Sequence, residues 1–293
     1  MFSYKRNSTL KKKKENLTNS ISISFEFFPP KNEKSITQLL SDINQFKSLN
    51  PSFISITCSP NKTTTNKTYK LIKKIRKNNQ IHTVPHITCV NHNKRELQTI
   101  AKKYWENGIK SILALRGDRI NKSNSNTMYA IDLINILKTI ENFKIYVAAY
   151  PEVHPEAKNA TFDLLNLKNK FLAGANSAIT QFFFNANTYL RFRDKCSKIG
   201  IHNDLIPGIL PIINIQQLKQ FSSMTNVDIP NKIFNLLNNL TPNSIPFHIA
   251  SSYITNSIID VLYKEGVRKF HFYTLNKLYL TYSIAHILKI ENF

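Results

Sequence analysis

Several polar side chains stand where apolar segments of this 293-residue chain end, and Glu26 is the sharpest case. It lies between Phe25 and Phe27 and is followed by a third phenylalanine and two prolines. Aromatic neighbours would keep water from the carboxyl group and favour its neutral form. Because a neutral carboxyl group can donate a proton near neutral pH, we predict a general acid here. The alternative is a strand-end glutamate that points into solvent.

Arg116, Gly117 and Asp118 close a second apolar segment and combine residue types that suit a phosphate ligand. A guanidinium group can fork onto a phosphate, and glycine lets the backbone approach a ligand closely. The aspartate adds a fixed negative charge. Such turns are common, so the tripeptide alone indicates only a candidate binding loop.

Residues 155–172 have the pattern of a helix with a proline in its first turn. Asp163, Asn166 and Lys170 stand at positions i, i+3 and i+7 and therefore share one face of that helix. This row of acid, amide and base could hold a ribose and a pyrophosphate, although a solvated helix face is the commoner explanation. We predict no metal site, because the three cysteines are far apart and form no Cys-x-x-Cys pair. No nucleophile elbow is present either.

Eight short, apolar, β-branched segments must position these residues. They are 23–28, 53–58, 83–89, 111–116, 145–150, 178–184, 205–210 and 269–274. Most begin about 30 residues after the previous one, the length of one βα unit. Helical patterns such as 35–49 and 94–107 lie between them, and glycines mark four predicted helix ends before a strand. These are Gly108, Gly174, Gly200 and Gly266.

Eight strands that alternate with helices favour an α/β fold, the (β/α)8 TIM barrel, with its chemistry at the C-terminal strand ends. A doubly wound sheet is the alternative, but it usually has fewer strands and no Gly-x-Gly-x-x-Gly turn is present. The long interval before the last strand predicts extra helices, including 233–240 and 252–264. We predict one catalytic domain over residues 21–293 and a polar, basic, mobile leader over residues 1–20.

The net charge of +22, from 40 Lys and Arg against 18 Asp and Glu, raises the question of a nucleic-acid partner. We expect none, because the lysines are scattered and the one dense run, 11–14, lies in the leader. No stretch approaches the roughly 18 apolar residues of a membrane span, so we expect no membrane partner. Three cysteines fit a reducing compartment, and we predict a cytoplasmic protein.

Seven ordered motifs resemble those of bacterial methylenetetrahydrofolate reductases. They are 24–30 (SFEFFPP), 85–89 (PHITC), 115–118 (LRGD), 149–157 (AYPEVHPEA), 178–184 (AITQFFF), 206–211 (IPGILP) and 270–276 (FHFYTLN). The resemblance implies a (β/α)8 barrel that binds FAD non-covalently and reduces 5,10-methylenetetrahydrofolate to 5-methyltetrahydrofolate with NADH. It also implies ping-pong kinetics, a supply of methyl groups for methionine synthesis, and a homo-oligomer, commonly a tetramer.

The resemblance assigns roles by position. Glu26 matches the general acid that protonates N10 of the folate, and Asp118 matches a carboxylate beside the pterin and the flavin. The substrate contacts match Gln181, Gln217, Phe221 and Lys277, and the NADH contacts match Thr57 and Gln181. The FAD contacts match Cys58, His86, Arg116, Gly117, Asp118, Ala130, Tyr150, His154, Ala157, Asp163, Asn166, Asn169 and Lys170.

Three of these positions depart from the usual pattern of the family. Cys58 stands where a tyrosine is usual, and Asn169 and Lys277 each stand where an arginine is usual. Lysine keeps the charge of arginine but loses its fork geometry. None of the three matches the acid, so we expect activity to persist and FAD to be held less tightly.

Two other classes of protein compete with this interpretation. A different flavin-dependent barrel oxidoreductase would share the polar barrel mouth but not the motif at 24–30. A basic nucleic-acid-binding protein would explain the charge, and tight, salt-sensitive binding to duplex DNA would distinguish it.

Overall fold

Eight parallel strands pair in sequence order and close into a barrel when the last strand pairs with the first. The computed structural model describes residues 21–30, 32–58, 62–90, 92–118 and 128–290, so the predicted leader lies outside the described residues. The strands are β1 Ser22–Phe27, β2 Phe53–Ile56, β3 Thr83–Thr88, β4 Ser111–Leu115, β5 Lys144–Ala149, β6 Ser177–Phe182, β7 Asp204–Ile209 and β8 Lys269–Tyr273. All eight predicted strands and the (β/α)8 fold are confirmed.

Helices surround the barrel and connect its strands. They are α1 Glu33–Phe46, α2 Lys62–Asn79, α3 Lys94–Glu106, α4 Ala130–Lys138, α5 Ala160–Leu172, α6 Ala186–Lys198, α7 Ile215–Thr225, α8 Asn231–Asn238, α9 Ile245–Lys264 and α10 Leu278–Ile290. A short 3-10 helix, Lys47–Leu49, follows α1. The extra helices expected before the last strand are α8 and α9, and the second begins earlier than predicted because Ser244 caps it.

The helix predicted over 155–172 begins five residues later, at Ala160. The Asn159 side chain accepts a hydrogen bond of 2.8 Å from the Phe162 amide, which satisfies a free N–H at the start of α5. Pro155 therefore lies in the loop after β5, so the prediction of a proline in the first helical turn was wrong. The predicted helix ends fare better, since all four predicted glycines follow a helix with a positive φ.

Successive side chains of each strand face opposite sides of the barrel wall. On β1, Phe25 and Phe27 point outward and are fully buried against the helices, where Phe25 meets the ring of Phe46 edge-on at 4.6 Å. The inward side chains fill the barrel and include Phe53, Val84, Leu113, Tyr146, Ile179 and Ile206. Two apolar layers therefore fix which residues of each strand can reach the barrel mouth.

Among the described residues, no helix is long and apolar enough to cross a membrane. None of the three cysteines, all of which the structure describes, forms a disulfide bond: Cys58 is half-buried, whereas Cys89 and Cys196 are buried.

Candidate active site

Glu26 faces the barrel interior near the C-terminal end of β1, and its side chain is only 12% exposed. The aromatic surroundings expected for its carboxyl group were wrong, because Phe25 and Phe27 point to the opposite side of the wall. The neighbours of the carboxyl group are imidazoles instead. Glu26 Oε2 lies 3.4 Å from His86 Nε2 and 3.9 Å from His271 Nε2.

Both imidazoles are buried and have an unsatisfied nitrogen. Within the described part of the chain, neither His86 Nε2 nor His271 Nε2 has a hydrogen-bond partner. Burial lowers the pKa of His86 to about 4; a negative charge on Glu26 would oppose this shift, and the His271 ring reinforces it. His86 is therefore a neutral ring near neutral pH. It is one of the residues for which the family resemblance implies an FAD contact.

His271 was not among the candidate site residues, although it belongs to the motif at 270–276. Its Nδ1 lies 2.8 Å from Ser24 Oγ, and its ring stacks on Phe53 at 5.6 Å. The signal that could have found it is strand periodicity, because Ser24 and Glu26 are paired with His271 and Tyr273 across β1 and β8. That pairing becomes readable only once the barrel is known to close.

Tyr273 completes the surroundings of Glu26 and closes one side of the mouth. Its hydroxyl donates a 2.8 Å hydrogen bond to the Thr180 carbonyl, and burial raises its pKa well above the usual range. Gly208 leaves room for this ring, because a Cβ there would lie 2.5 Å from Tyr273 and 2.2 Å from the Thr180 carbonyl oxygen. Gly208, near the end of β7, therefore contributes space to the site.

Arg116 forks onto a carboxylate of its own chain, Glu156, rather than being free for a phosphate. Its Nη2 lies 3.0 Å from Glu156 Oε1, and its Nη1 contacts the other carboxylate oxygen. This hydrogen bonding raises the pKa of Arg116. Gly117 has a φ of +85°, and a Cβ there would lie 2.7 Å from Val90, so packing already requires glycine. Asp118 is exposed beside these residues.

The end of β5 and helix α5 form a polar corner. Asp163 accepts a 2.8 Å hydrogen bond from the His154 amide, and the His154 ring meets Tyr150 edge-on at 4.5 Å. Lys170 donates a 3.0 Å hydrogen bond to the Ala148 carbonyl. Burial lowers the pKa of Lys170 to about 8 and raises that of Tyr150 to about 12.

The remaining positions of the expected cofactor set lie on several elements. Asn166 is half-buried on α5, whereas Asn169 is exposed. Ala157 donates its amide to the His154 carbonyl, and Ala130 is buried at the start of α4. Cys58 follows β2 and is half-buried.

The expected substrate contacts lie on the other side of the mouth. Gln181 is half-buried on β6, and Phe221 on α7 packs against Phe182 with ring centroids 6.1 Å apart. Gln217 lies one helical turn before Phe221 and is half-buried, whereas Lys277 is exposed in the segment after β8. Thr57 is half-buried after β2 and donates its amide to the Phe27 carbonyl.

Glu152 is a further residue that the sequence did not single out. Its Oε1 accepts a 3.3 Å hydrogen bond from the Asp228 amide, which joins the loop after β5 to the segment after α7. Burial raises the pKa of Glu152 to about 7. The contact links the corner that contains Tyr150 to the helix that carries Phe221.

His82 and His86 stand four residues apart, a spacing that brings two imidazoles together only on a helix. On the extended chain at β3 they separate. His82 Nε2 lies 3.0 Å from Ser111 Oγ at the start of β4, whereas His86 contacts Glu26 at the opposite end. In the part of the chain that the structure describes, no group of three His, Cys, Asp or Glu residues could hold a metal ion.

Lys170 provides a test of whether this corner suits a dinucleotide. Across the described residues its ammonium group makes no ion pair, and its hydrogen bond goes to a neutral carbonyl. A largely desolvated ammonium group gains most from an anion such as a phosphate. With Asp163 and Asn166 on the same helix face, the residues present fit a phosphate-bearing cofactor such as a dinucleotide.

A closed (β/α)8 barrel with a carboxyl group and two imidazoles at the C-terminal strand ends has the architecture of a barrel enzyme, and these side chains are of types that can transfer protons. The family model described as Methylenetetrahydrofolate reductase matches residues 10–289. The chain therefore belongs to the methylenetetrahydrofolate reductase family, and the resemblance carried by its seven motifs is confirmed.

Relatives support the same assignment. The chain is 53% identical over 278 residues to a 5,10-methylenetetrahydrofolate reductase of Buchnera aphidicola subsp. Schizaphis graminum, covering 95% of each chain. It is 46% identical over 271 residues to that of Escherichia coli strain K12, covering 92% of each chain. A Clostridium thermocellum protein described as binding two copies of 5-methyl-5,6,7,8-tetrahydrofolic acid shares the fold, with a TM-score of 0.66, 15% identity and coverage of 95% and 99%.

Proposed function

We propose that this protein reduces 5,10-methylenetetrahydrofolate to 5-methyltetrahydrofolate, with FAD as its resident cofactor and NADH as its reductant. The observation that carries the proposal is the position of Glu26, which meets two imidazoles at the mouth of a barrel from this family. Near-full-length identity of about half to proteins named 5,10-methylenetetrahydrofolate reductase supports the substrate.

The proposed holder of FAD is the polar corner formed by β5, α5 and the loop after β4. Lys170 would neutralise a phosphate, and Asp163 and Asn166 would hydrogen-bond a ribose. Arg116 would bind a phosphate of FAD in one of two ways. It would use the part of its guanidinium group that does not contact Glu156, or it would release Glu156 and bind the phosphate in its place. When bound, FAD would take a hydride from NADH and supply it to the folate.

Glu26 would act on the folate alone. Its carboxyl proton goes to N10 as the bond between N10 and the methylene carbon breaks, and the electron pair of that bond stays on N10. The methylene carbon is then part of an iminium ion on N5, and hydride addition makes it a methyl group. Glu26 leaves the step as a carboxylate and recovers its proton from solvent.

Other residues of this chain would hold the substrate. Phe221 offers a ring face for the pterin, Gln181 offers an amide that can both donate and accept, and the charge of Asp118 favours the cationic intermediate. NADH and folate would use the same mouth in turn, Thr57 and Gln181 contacting the nicotinamide, which implies ping-pong kinetics. We also propose a homo-oligomer, a tetramer by family resemblance, that supplies methyl groups for methionine synthesis.

Product analysis tests this proposal. Purified protein supplemented with FAD should convert 5,10-methylenetetrahydrofolate and NADH to 5-methyltetrahydrofolate in equal amounts under anaerobic conditions. Glu156→Gln, which alters the neighbourhood of Arg116 but not the acid, should still form product. Recovery of only unchanged folate with every NADH and FAD concentration would refute the proposal.

A further inference from the structure

Ser24 contacts two groups in the barrel interior, one layer below Glu26. Its Oγ lies 2.8 Å from His271 Nδ1 and 3.3 Å from the Phe270 carbonyl oxygen. Ser24 and His271 are both buried, at 2% and 0% exposure. A serine hydroxyl has one hydrogen to donate and two lone pairs that accept, so the two contacts restrict where the hydrogen lies.

Only one arrangement makes both contacts hydrogen bonds. If the hydroxyl donates to the Phe270 carbonyl, then His271 must donate from Nδ1 to Ser24 Oγ. If the hydroxyl instead donates to Nδ1, the carbonyl contact is lost as a hydrogen bond. The first arrangement fixes His271 as the tautomer with a proton on Nδ1 and a lone pair on Nε2.

The lone pair of His271 Nε2 faces the carboxyl group of Glu26. A negative carboxylate facing an N–H donor is drawn to about 2.8 Å, the length of a charge-assisted hydrogen bond. The two Nε2 contacts of Glu26 are longer, at 3.9 Å to His271 and 3.4 Å to His86. Neither contact is a hydrogen bond among the described residues, so no imidazole N–H stabilises a carboxylate at Glu26, and the lone pair on His271 Nε2 would repel one.

We propose that Ser24 and His271 are positioning residues that keep Glu26 protonated by presenting an unprotonated Nε2 to its carboxyl group. The inference rests on the proposed function, in which Glu26 is the acid of the folate step. The other titratable groups facing Glu26 are His86 on β3 and Tyr273 on β8. Burial keeps both of them neutral near neutral pH.

Packing separates the position of the His271 ring from its tautomer. The ring stacks on Phe53 at 5.6 Å and meets Tyr273 edge-on at 5.5 Å, so it stays in place without the serine. Ser24→Ala therefore frees the choice of tautomer while the ring remains. Ser55→Ala is a matched control, because Ser55 is also buried beside Glu26 in the next strand but, within the described residues, its hydroxyl makes no hydrogen bond.

The test combines spectroscopy with half-reactions. In 15N spectra of the histidine-labelled holoenzyme, assigned with His271→Gln, we expect a protonated Nδ1 and an unprotonated Nε2 for His271. In Ser24→Ala the reduced enzyme should react with 5,10-methylenetetrahydrofolate about tenfold more slowly at about pH 8, and the deficit should disappear toward about pH 6. The NADH half-reaction should be unchanged, Ser24→Thr should restore the rate, and Ser55→Ala should match the wild type.

The outcomes separate this inference from the proposed function. If the reduced wild-type enzyme ignores the folate, or Glu26→Gln reacts at the wild-type rate, the proposed function itself is refuted. If both behave as proposed, a protonated Nε2 on His271 would overturn the inference. So would a Ser24→Ala rate that follows the wild type at every pH, or an equal loss in Ser55→Ala.

Discussion

Glu26 combines low exposure with an oxygen that reaches two imidazole nitrogens, and this combination defines what the residue can do. The carboxyl group is 12% exposed and stands near the C-terminal end of β1, the end at which barrel enzymes bind their substrates. A group in this position suits the proposed transfer of a proton to a bound ligand.

Substitution of Glu26 should slow the half-reaction with folate and leave the half-reaction with NADH unchanged. In Glu26→Gln the amide keeps the size of the side chain but has no acidic proton, so NADH should still reduce the bound flavin. Reduction of 5,10-methylenetetrahydrofolate should fall by about 10²–10⁴-fold, as for the loss of a general acid. Stopped-flow absorbance measures both rates, and Glu141→Gln, an exposed glutamate, provides the control. A Glu26→Gln variant with normal folate reduction would contradict the role.

His86 should make the protein sensitive to acid. Its pKa is about 4 in the folded chain and near 6.5 when unfolded, so the unfolded state binds the extra proton between these values. Stability should therefore fall as the pH drops from about 6.5 to 4, by on the order of 3 kcal/mol from this group.

Urea unfolding across that range measures the effect. The free energy of unfolding should fall less steeply on acidification in His86→Gln than in the wild type. His202→Gln, which replaces an exposed histidine, should keep the wild-type slope. Equal slopes in all three proteins would show that His86 does not titrate in this way.

At the scale of elements, strand ends supply most of the site, and helices α5 and α7 supply much of the rest. The glycine-marked helix ends and the apolar segments predicted all eight strands to within two residues at each end. The start of α5 was missed, because Pro155 suggested a helical first turn whereas the Asn159 cap decides it. The local sequence pattern identifies helices and strands well. It locates the first residue of a helix less well when two possible start positions lie within a few residues of each other.

Part of the site was predictable, because an apolar strand and the polar residue that follows it are visible in a short stretch of sequence. Glu26, His86 and Arg116 each follow an apolar run, so their positions at the mouth could be inferred from sequence. The partners of these residues could not be inferred. Glu156 lies in a later loop and forms an ion pair with Arg116, and His271 contacts Glu26 from a strand almost 250 residues further along the chain. The aromatic environment expected for Glu26 failed because neighbours in a strand face opposite sides.

Gly208 should be intolerant of any side chain. A Cβ there would lie 2.2 Å from the Thr180 carbonyl oxygen, in a strand where the backbone cannot move aside easily. Gly208→Ala should displace Tyr273 and lower the melting temperature, with a cost of about 1–3 kcal/mol from overpacking.

Gly200→Ala is the comparison for Gly208→Ala. Gly200 has a φ of +80° but no atom within 4 Å of an added Cβ, so its substitution should cost only about 1 kcal/mol. Thermal unfolding ranks the two variants, and a Gly208→Ala protein at least as stable as Gly200→Ala would show that the barrel mouth relaxes.

Asn169 on helix α5 stands where the family usually has an arginine, and a substitution tests what this difference does. Asn169 is exposed next to Lys170, and an arginine there could add a charge-assisted hydrogen bond to a bound phosphate. Asn169→Arg should therefore tighten FAD binding about tenfold, equivalent to about 1.4 kcal/mol. Fluorescence quenching on titration of FAD into apoprotein measures the affinity. Asn187→Arg, on α6, controls for the added charge, and unchanged or weaker binding in Asn169→Arg would refute the prediction.

At the scale of the whole molecule, closure of the barrel is the step that assembles the chemistry. Pairing of β1 with β8 brings Ser24 and Glu26 beside His271 and Tyr273, so no fragment that lacks either strand contains the acid and its neighbours. The net charge of +22 has no part in this arrangement, and the absence of a nucleic-acid partner stays a prediction.

The visible absorbance of the bound flavin tests the central claim most directly. Purified protein loaded with FAD should lose its yellow colour when NADH is added without oxygen. The colour should then return on addition of 5,10-methylenetetrahydrofolate, with one 5-methyltetrahydrofolate formed for each flavin reoxidised. A protein that binds no FAD, or whose reduced flavin is left unchanged by 5,10-methylenetetrahydrofolate, would contradict the account.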